Sequence, residues 1–473
     1  MHVAFLNPQG NFDRNDSYLT EHSDFGGQLV YVKELSLALA RMGVRVDIVT
    51  RWIDDPQWPG FAQREDAYDD SPDELRILRV PCGGPRFLAK ELLWPHLPEF
   101  VDQLLQFYGA VRPDYLTSHY ADGGYCAALM QQATGLGFTF TGHSLGAQKL
   151  DKLGMTAANS GQFEQCFHFS RRIDAERLAM QRADTIITST SQERFEQYGH
   201  PLYRGAVDTT DDGHFCVVPP GVNTEVFNDE PNPRDDALHR VLERQTGETG
   251  GPWIVVSSRL DEKKNIGGVV EAYARSQALQ DQARLALFVR GLDDPFSRID
   301  TLPSPERAVL QPMLERIEQA EVRERVRFFN IQSQRDLAAA YRFFARRGSV
   351  FVLSSFYEPF GLAPIEAAAC GLAVVATRHG GPTEIFADGS AVLVDPFDAG
   401  NIADGIASAL GDQQRLAAAG KRRVRTRYTW QQTARGYLQA IEDKLGRPRP
   451  EQGVVGELDA TARIAEYLET SRS

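Results

Sequence analysis

Cysteine is scarce and scattered. The five in 473 residues (Cys82, Cys126, Cys166, Cys216 and Cys370) include no C-x-x-C pair. Neither a zinc knuckle nor a disulfide framework is signalled, and a reducing, cytoplasmic setting is expected. A basic excess is missing too: 51 Lys and Arg face 64 Asp and Glu, a net charge of −13, which argues against a nucleic-acid partner. No apolar run approaches the roughly 18 residues of a membrane span, so no membrane role is expected. The opening "HVAFL" (2–6) reads as a strand and lacks the charged and apolar segments of a signal peptide. What remains is a globular chain long enough for roughly two to four domains. Local clusters of Lys and Arg stand out against its acidic background.

Short β-rich runs alternate with helical patterns. In the first half the strand candidates are 2–6, 44–50, 75–80, 113–119, 138–143, 184–189 and 215–219; in the second they are 252–258, 283–291, 325–330, 348–355, 372–377 and 391–395. Their near-continuous Val, Ile and Leu content predicts parallel strands buried on both faces, and the alternation predicts doubly wound α/β sheets. "GQLVYVKELSLALARMG" (27–43) reads as a helix closed by a glycine. The Pro-, Asn- and Asp-rich stretch 218–236 reads as a linker. The expected architecture is therefore α/β with two Rossmann-like doubly wound domains, 1–225 and 226–428, facing across a cleft. A helix and tail, 429–473, are expected to pack back on the N-terminal domain. Ligands of such folds sit at the carboxyl ends of the strands.

The strongest motif is "FYEPFGLAPIEAAACG" (356–371), in which Glu358 and Glu366 form E-x7-E across a strand–turn–helix. Two carboxylates so placed suit two sets of sugar hydroxyls, and the amides of Phe360, Gly361, Leu362 and Ala363 at a helix start suit an anion. The plain alternative is a solvated loop Glu and a surface Glu, but Glu366 lies between Ile365 and Ala367 on an apolar helix and needs a partner there. "SSRLDEKKNIGG" (257–268) follows the first strand of the second half. Arg259 and Lys264 fit a diphosphate and the charge growing on a leaving group, whereas Asp261, Glu262 and Lys263 read as solvated. In the first half, Gly26-Gly27 opens a helix, and Lys90, Lys149, Arg171 and Arg172 fall near strand ends or helix starts. Most exposed Lys and Arg are merely solvated; together these four could hold a second phosphate. His119, Tyr120 and Asp122 to Gly124 lie on the same expected edge.

Gly142-His143-Ser144-Leu145-Gly146 matches G-x-S-x-G, the nucleophile elbow of serine hydrolases. That reading lacks its other parts. No His-Gly-Gly-Gly pattern precedes it, the later histidines are poorly placed as a base, and E-x7-E stays unexplained. A hydrolase using Ser144 is retained as the alternative from a different class, alongside a non-catalytic sugar-nucleotide sensor.

Taken together, "LNPQGNF", "FGGQLVYVKEL", "GHSLGAQK", "TSQERF", "PPGVN", "SSRLDEKKN" and "SFYEPFGLAPIEA" resemble the sucrose-phosphate-synthase-like group of the retaining GT-B glycosyltransferases (glycosyltransferase family 4), over about residues 2 to 445. The resemblance implies UDP-glucose as co-substrate held by the second domain. Glu358 would bind glucose hydroxyls, Glu366 the ribose, Arg259 and Lys264 the diphosphate, and the region of Asn330 and Ile331 the uracil. It implies fructose 6-phosphate in the first domain, with Gly27, Gln28, Lys90, Tyr120, Ser144, Lys149, Arg171 and Arg172 around the acceptor and His143 toward the transferred glucose. Gly27 is placed with the donor residues as well. No cofactor or metal is implied, since Arg259 and Lys264 supply the charge. A separate phosphatase would act on the product, because the fused phosphatase-like domain of longer relatives is not seen, and a monomer or weak oligomer is expected. Transfer to free fructose, or of mannose to fructose 6-phosphate, are the alternatives within the class.

Overall fold

Runs of Val, Ile, Leu and Phe bounded by polar turns become the strands of two parallel sheets. The computed structural model describes residues 1–18, 27–69, 71–247, 250–449 and 453–470. The chain divides into two units, Met1–Pro220 with Trp430–Ser473, and Gly221–Thr429. The first contains β1 (His2–Leu6), β2 (Arg45–Arg51), β3 (Glu65–Asp66), β4 (Leu75–Val80), β5 (Tyr115–His119), β6 (Phe138–Thr141), β7 (Thr185–Thr188) and β8 (Phe215–Val217). The second contains β9 (Trp253–Ser257), β10 (Arg284–Phe288), β11 (Val326–Phe329), β12 (Val350–Leu353), β13 (Ala373–Thr377) and β14 (Val392–Val394). Every strand candidate read from the sequence is present. The short β3 is additional: its Glu-Asp pair carries no apolar pattern, and it joins β4 as an antiparallel edge.

The first sheet runs β3-β4-β2-β1-β5-β6-β7-β8 and the second β11-β10-β9-β12-β13-β14. Both reverse direction beside their first strand, at β1/β5 and at β9/β12, and ligands of doubly wound sheets bind at the carboxyl ends of such strands. Side chains alternate between two cores. Val3 and Phe5 enter one cluster and Ala4 and Leu6 another; Trp253 and Val255 enter one and Ile254 and Val256 another. Both faces of each sheet are covered, which is why the strands read as unbroken apolar runs.

Helix Gly27–Ala40 is buried on most sides, because helix Trp430–Glu442 returns against it. The Tyr31 hydroxyl donates to the Tyr437 hydroxyl at 3.1 Å, the Tyr437 hydroxyl lies 2.6 Å from Thr141 Oγ1, and Trp430 packs edge-on to Tyr31. Beyond it, Arg449 grips Asp184 through Nε and Nη2, at 2.8 and 2.7 Å. Helix Thr461–Thr470 then sinks Ile464 and Leu468 into the first unit's core, and its Tyr467 hydroxyl donates to Asp151 Oδ1 at 2.9 Å.

One carboxyl in this unit sets a pH dependence. Glu193 accepts from the Ser189 amide at 2.7 Å, yet burial beside Tyr31, Tyr198 and Tyr437 pushes it up to about 7. A carboxyl raised on folding holds its proton longer in the native state, so its contribution is complete below about pH 4 and is lost as pH rises through about 7. Glu193→Gln is therefore expected to match the parent protein near pH 4.5 and to exceed it by about 1–3 kcal/mol at pH 8 in urea unfolding. Equal gains at both pH values would contradict this.

Candidate active site

In the second unit, the turn after β9 is built to deliver one lysine. Asp261 Oδ1 caps the Glu262–Lys264 turn by accepting from the Lys263 amide at 3.0 Å. Asn265 follows in the left-handed region, φ 49°. Its Nδ2 donates to the carbonyls of Ser354 and Pro396 at 3.1 and 2.7 Å, and Ser354 Oγ donates back to the Asn265 carbonyl at 2.9 Å. This stitches the turn to the end of β12, where Lys264 Nζ meets Glu358 Oε2 at 2.8 Å. The two are 24% and 14% exposed, so the pair is shielded enough to matter and open enough to meet a ligand. Lys264 and Glu358, assigned by the sequence to different parts of a donor, thus hold each other.

The Glu358 loop is braced by a segment that sequence reasoning passed over. Glu358 N donates to the His379 carbonyl at 3.0 Å and Gly381 N to the Glu358 carbonyl at 2.9 Å. Gly380 has φ 102°, and a Cβ on it would collide with the Glu358 carbonyl oxygen. Only glycine meets both demands.

Arg259 is exposed, and among the described residues its guanidinium has no partner. It borders a cavity of about 530 Å³ whose wall includes Ser258, Arg290, Ile331, Tyr341 and Ala363. Asn330 is used otherwise: its Oδ1 accepts from the Gly291 amide at 2.7 Å and its Nδ2 donates to Asp293 at 2.9 Å, so it fixes the neighbouring loop and only Ile331 lines the cavity. Gly361, φ 115°, precedes helix Leu362–Ala369, whose first amides lack intrahelical acceptors. Phe360 packs toward Tyr428, and Leu362 is exposed. Glu366 lies in the second turn of that helix. Burial raises it to about 7, and among the described residues its carboxyl has no hydrogen-bond partner.

In the first unit, three strand ends converge on one edge. After β1, Gln9 Nε2 donates to Gln28 Oε1 at 2.9 Å and Gln28 Nε2 to Asn7 Oδ1 at 2.6 Å. Gly27 begins its helix with open space around it; Gly26 lies outside the described residues. After β5, Tyr120 sits at φ 69°. Asp122 accepts from the Gln9 amide at 3.0 Å, its Oδ1 is buried without a partner, and burial raises it to about 6. A Cβ on Gly123 would strike the Leu6 carbonyl oxygen, so glycine lets this helix lie directly on β1. Lys90 is close enough to act on the charges of Asp122 and Tyr120.

After β6, His143 takes φ 56° and its Nε2 lies 2.9 Å from His119 Nδ1. Ser144 is exposed, and among the described residues its hydroxyl has no histidine partner, so the general base a serine nucleophile needs is not in place. Helix Gly146–Lys152 begins on the Glu176 carboxylate, both oxygens of which accept from the Gly146 amide at 2.9 Å. Arg172 Nε donates to Glu176 Oε1 at 3.0 Å, its Nη2 donates to the Ser144 carbonyl, and the guanidinium covers the Tyr120 ring at 4.6 Å. Much of Arg172 is therefore committed to holding the loop. Lys149 lies over the Phe167 ring at 4.0 Å and Arg171 is exposed. Of the first-unit residues read from the sequence, the structure joins Tyr120 and Ser144 to Arg172, and His119 to His143. Asn7, Gln9 and Asn265 were not foreseen, and their one sequence signal is position after a strand or at a helix start; Glu176, also not foreseen, is mid-helix, and its one signal is the i,i+4 spacing from Arg172.

No helix among the described residues is long and apolar enough to cross a membrane, and among them no group of three His, Cys, Asp or Glu is placed to hold a metal ion. Residues 241–426 match the group 1 glycosyl transferases, and residues 26–199 match the glycosyl transferase 4-like domain. A protein of Thermosipho melanesiensis named "Probable sucrose-phosphate synthase" is 40% identical over 444 residues, 93% of this chain and 96% of its own length. A relative from Citrus unshiu, "Probable sucrose-phosphate synthase 1", is 32% identical over 93% of this chain but only 47% of its own length, so the chain spans about half of that protein. Among solved structures, the sucrose-phosphate synthase of Thermosynechococcus elongatus superposes with a TM-score of 0.64 at 26% identity, covering 94% of this chain and 98% of that one.

Proposed function

Since the chain belongs to the sucrose-phosphate synthase family of glycosyltransferases, we propose that it moves glucose from UDP-glucose to the anomeric hydroxyl of fructose 6-phosphate, with retention, giving sucrose 6-phosphate and UDP. The bond from glucose C1 to the diphosphate oxygen breaks, a bond from C1 to the acceptor oxygen forms on the same face, and the acceptor proton passes to the departing phosphate. UDP-glucose enters as a co-substrate and no further cofactor takes part.

The observation that supports this best is the Lys264–Glu358 pair at the β9/β12 reversal, with unpartnered Arg259 beside it. In this reading Lys264 and Arg259 take the negative charge that grows on the leaving diphosphate. Glu358, brought to the same point, accepts from glucose hydroxyls. The amides of Phe360, Gly361, Leu362 and Ala363 face the phosphates, Ile331 borders the base, and Glu366 accepts from ribose hydroxyls. In the first unit, Gln28 and Tyr120 border the sugar and Ser144 bonds a hydroxyl. Lys90, Lys149, Arg171 and the outer nitrogen of Arg172 take the acceptor phosphate, and His143 donates to the transferred glucose. The phosphate ester is untouched by the reaction, so its removal falls to a separate phosphatase.

Incubation with UDP-, ADP- and GDP-linked glucose and mannose against fructose and fructose 6-phosphate tests the assignment. The expected product is a phosphorylated glucosyl-fructose by mass, formed from UDP-glucose, with the donor's anomeric configuration by NMR. Transfer to free fructose alone would overturn the acceptor. Lys149→Ala is expected to raise the fructose 6-phosphate KM about ten- to a hundredfold, the worth of one charge-assisted hydrogen bond, while the UDP-glucose KM stays within about twofold. Equal changes in both would remove Lys149 from the phosphate site.

A further inference from the structure

His119 lies at the end of β5 with no exposed surface. Its ring stacks on Phe5 at 5.3 Å and 6°, so its two nitrogens have fixed outlooks. Nδ1 faces His143 Nε2 at 2.9 Å and Nε2 faces Thr117 Oγ1 at 3.4 Å. Thr117 Oγ1 is already an acceptor, receiving the Thr139 hydroxyl at 2.7 Å. It is fully buried, and among the described residues its own proton has only His119 Nε2 to go to. A buried hydroxyl proton left without an acceptor is costly.

These hydrogen bonds have one consistent direction. Thr139 donates to Thr117, Thr117 to His119 Nε2, and His119, carrying its proton on Nδ1, to His143 Nε2. Burial drives His119 well below the usual imidazole range and lowers His143 to about 3. Both rings are neutral, and two facing nitrogens of neutral imidazoles must be one donor and one acceptor. His143, accepting at Nε2, keeps its single proton on Nδ1, which among the described residues has no protein partner.

We propose that His119 is a positioning residue that holds His143 in the Nδ1–H tautomer, presenting a neutral N–H donor to an oxygen of the bound sugar. This rests on the functional reading above for the identity of the sugar, but not for the tautomer. It also assigns a limit: His143 offers a hydrogen bond, and its Nδ1 is not a base. The left-handed backbone at His143 fits this role, because the Tyr198 hydroxyl accepts from the Gly142 amide at 3.1 Å and Tyr31 packs edge-on at 4.9 Å. The first contact anchors the backbone just before His143 and the second packs against its ring.

The test is long-range 1H–15N NMR of histidine side chains in the full-length protein without substrate. Wild-type His143 is expected to show a protonated-type Nδ1 and an unprotonated-type Nε2. His119→Phe keeps an aromatic ring over Phe5 but removes the donor, and should return His143 toward the Nε2–H form. His119→Asn places an amide donor near the Nδ1 position and should restore Nδ1–H. Thr117→Val interrupts the relay one step earlier and should loosen the preference without touching either ring. In turnover, His119→Phe is expected to lower kcat about tenfold, with both KM values within about twofold, and His119→Asn to recover most of it. Wild-type His143 protonated on Nε2, or a tautomer indifferent to His119→Phe and Thr117→Val, overturns the proposal. Lack of any glucosyl transfer by wild type overturns the functional reading alone, since the spectra decide the tautomer without it.

Discussion

Lys264→Ala is expected to lower kcat for glucosyl transfer by about a hundred- to a thousandfold, with the fructose 6-phosphate KM within about twofold of wild type. The size is that of removing one preorganised donor aimed at charge that develops in the transition state. The ground state does not need Lys264 as much, because Arg259 remains and among the described residues has no competing partner. Lys264 also holds Glu358 at 2.8 Å, with Ser355 Oγ a further 3.4 Å donor to the same oxygen. Without the lysine the carboxylate loses its main partner and its fixed direction. Glu358→Gln should therefore cost far less in a Lys264→Ala background than alone, because groups acting as a unit are not additive. A fall in kcat below about fivefold, or strict additivity with Glu358→Gln, would show that the pair is structural.

Arg172→Ala is expected to behave unlike Lys149→Ala, although the sequence groups the two cations. Arg172 is 4% exposed and pairs with Glu176, which has no exposed surface. Removing one partner of a buried pair leaves an uncompensated charge and costs about 3–5 kcal/mol. The loss should appear as poor accumulation of folded protein and a lowered unfolding midpoint. Burial already pushes the Glu176 carboxyl upward against the pull of Arg172. The double variant Arg172→Met with Glu176→Gln removes both charges and keeps an acceptor for the Gly146 amide. It should recover most of the stability while the fructose 6-phosphate KM stays raised, which separates holding the loop from holding the phosphate. If Arg172→Ala folds as well as wild type, the ion pair does not stabilise the loop.

The sheets were legible because a strand buried on both faces leaves an unbroken apolar run, and the strand–turn–helix carrying Glu358 and Glu366 was legible because a Pro-Phe-Gly turn parts an apolar strand from an apolar helix. Pairings that depend on which strands become neighbours were not. Lys264 and Glu358 are 94 residues apart in sequence, and they meet only because β12 lies beside β9. Arg172 and Glu176 are one helical turn apart, but an i,i+4 pair on a helix usually faces solvent, so the spacing alone does not single Glu176 out; burial gives this pair its meaning. His119 and His143 were each noted separately, and nothing local says that β5 and β6 end side by side. Gly380 was invisible for a different reason: its need comes from the Glu358 carbonyl, on another loop. The polar stretch after 447 gave no docking signal beyond Ile464 and Leu468, whose spacing is too short to reveal a buried face.

Because the first unit is completed by the last residues of the chain, its assembly has a timetable. At a ribosomal rate of about 5–20 residues per second, the second unit takes roughly ten to forty seconds to emerge. During that interval β6, which leads into His143, waits without Tyr437, whose hydroxyl will meet Thr141 and Tyr31. The apolar face of helix Gly27–Ala40 that Trp430–Glu442 will cover is open to water or to a chaperone meanwhile. The second unit, one continuous segment, can finish first, while the unit carrying His143 is still unfinished.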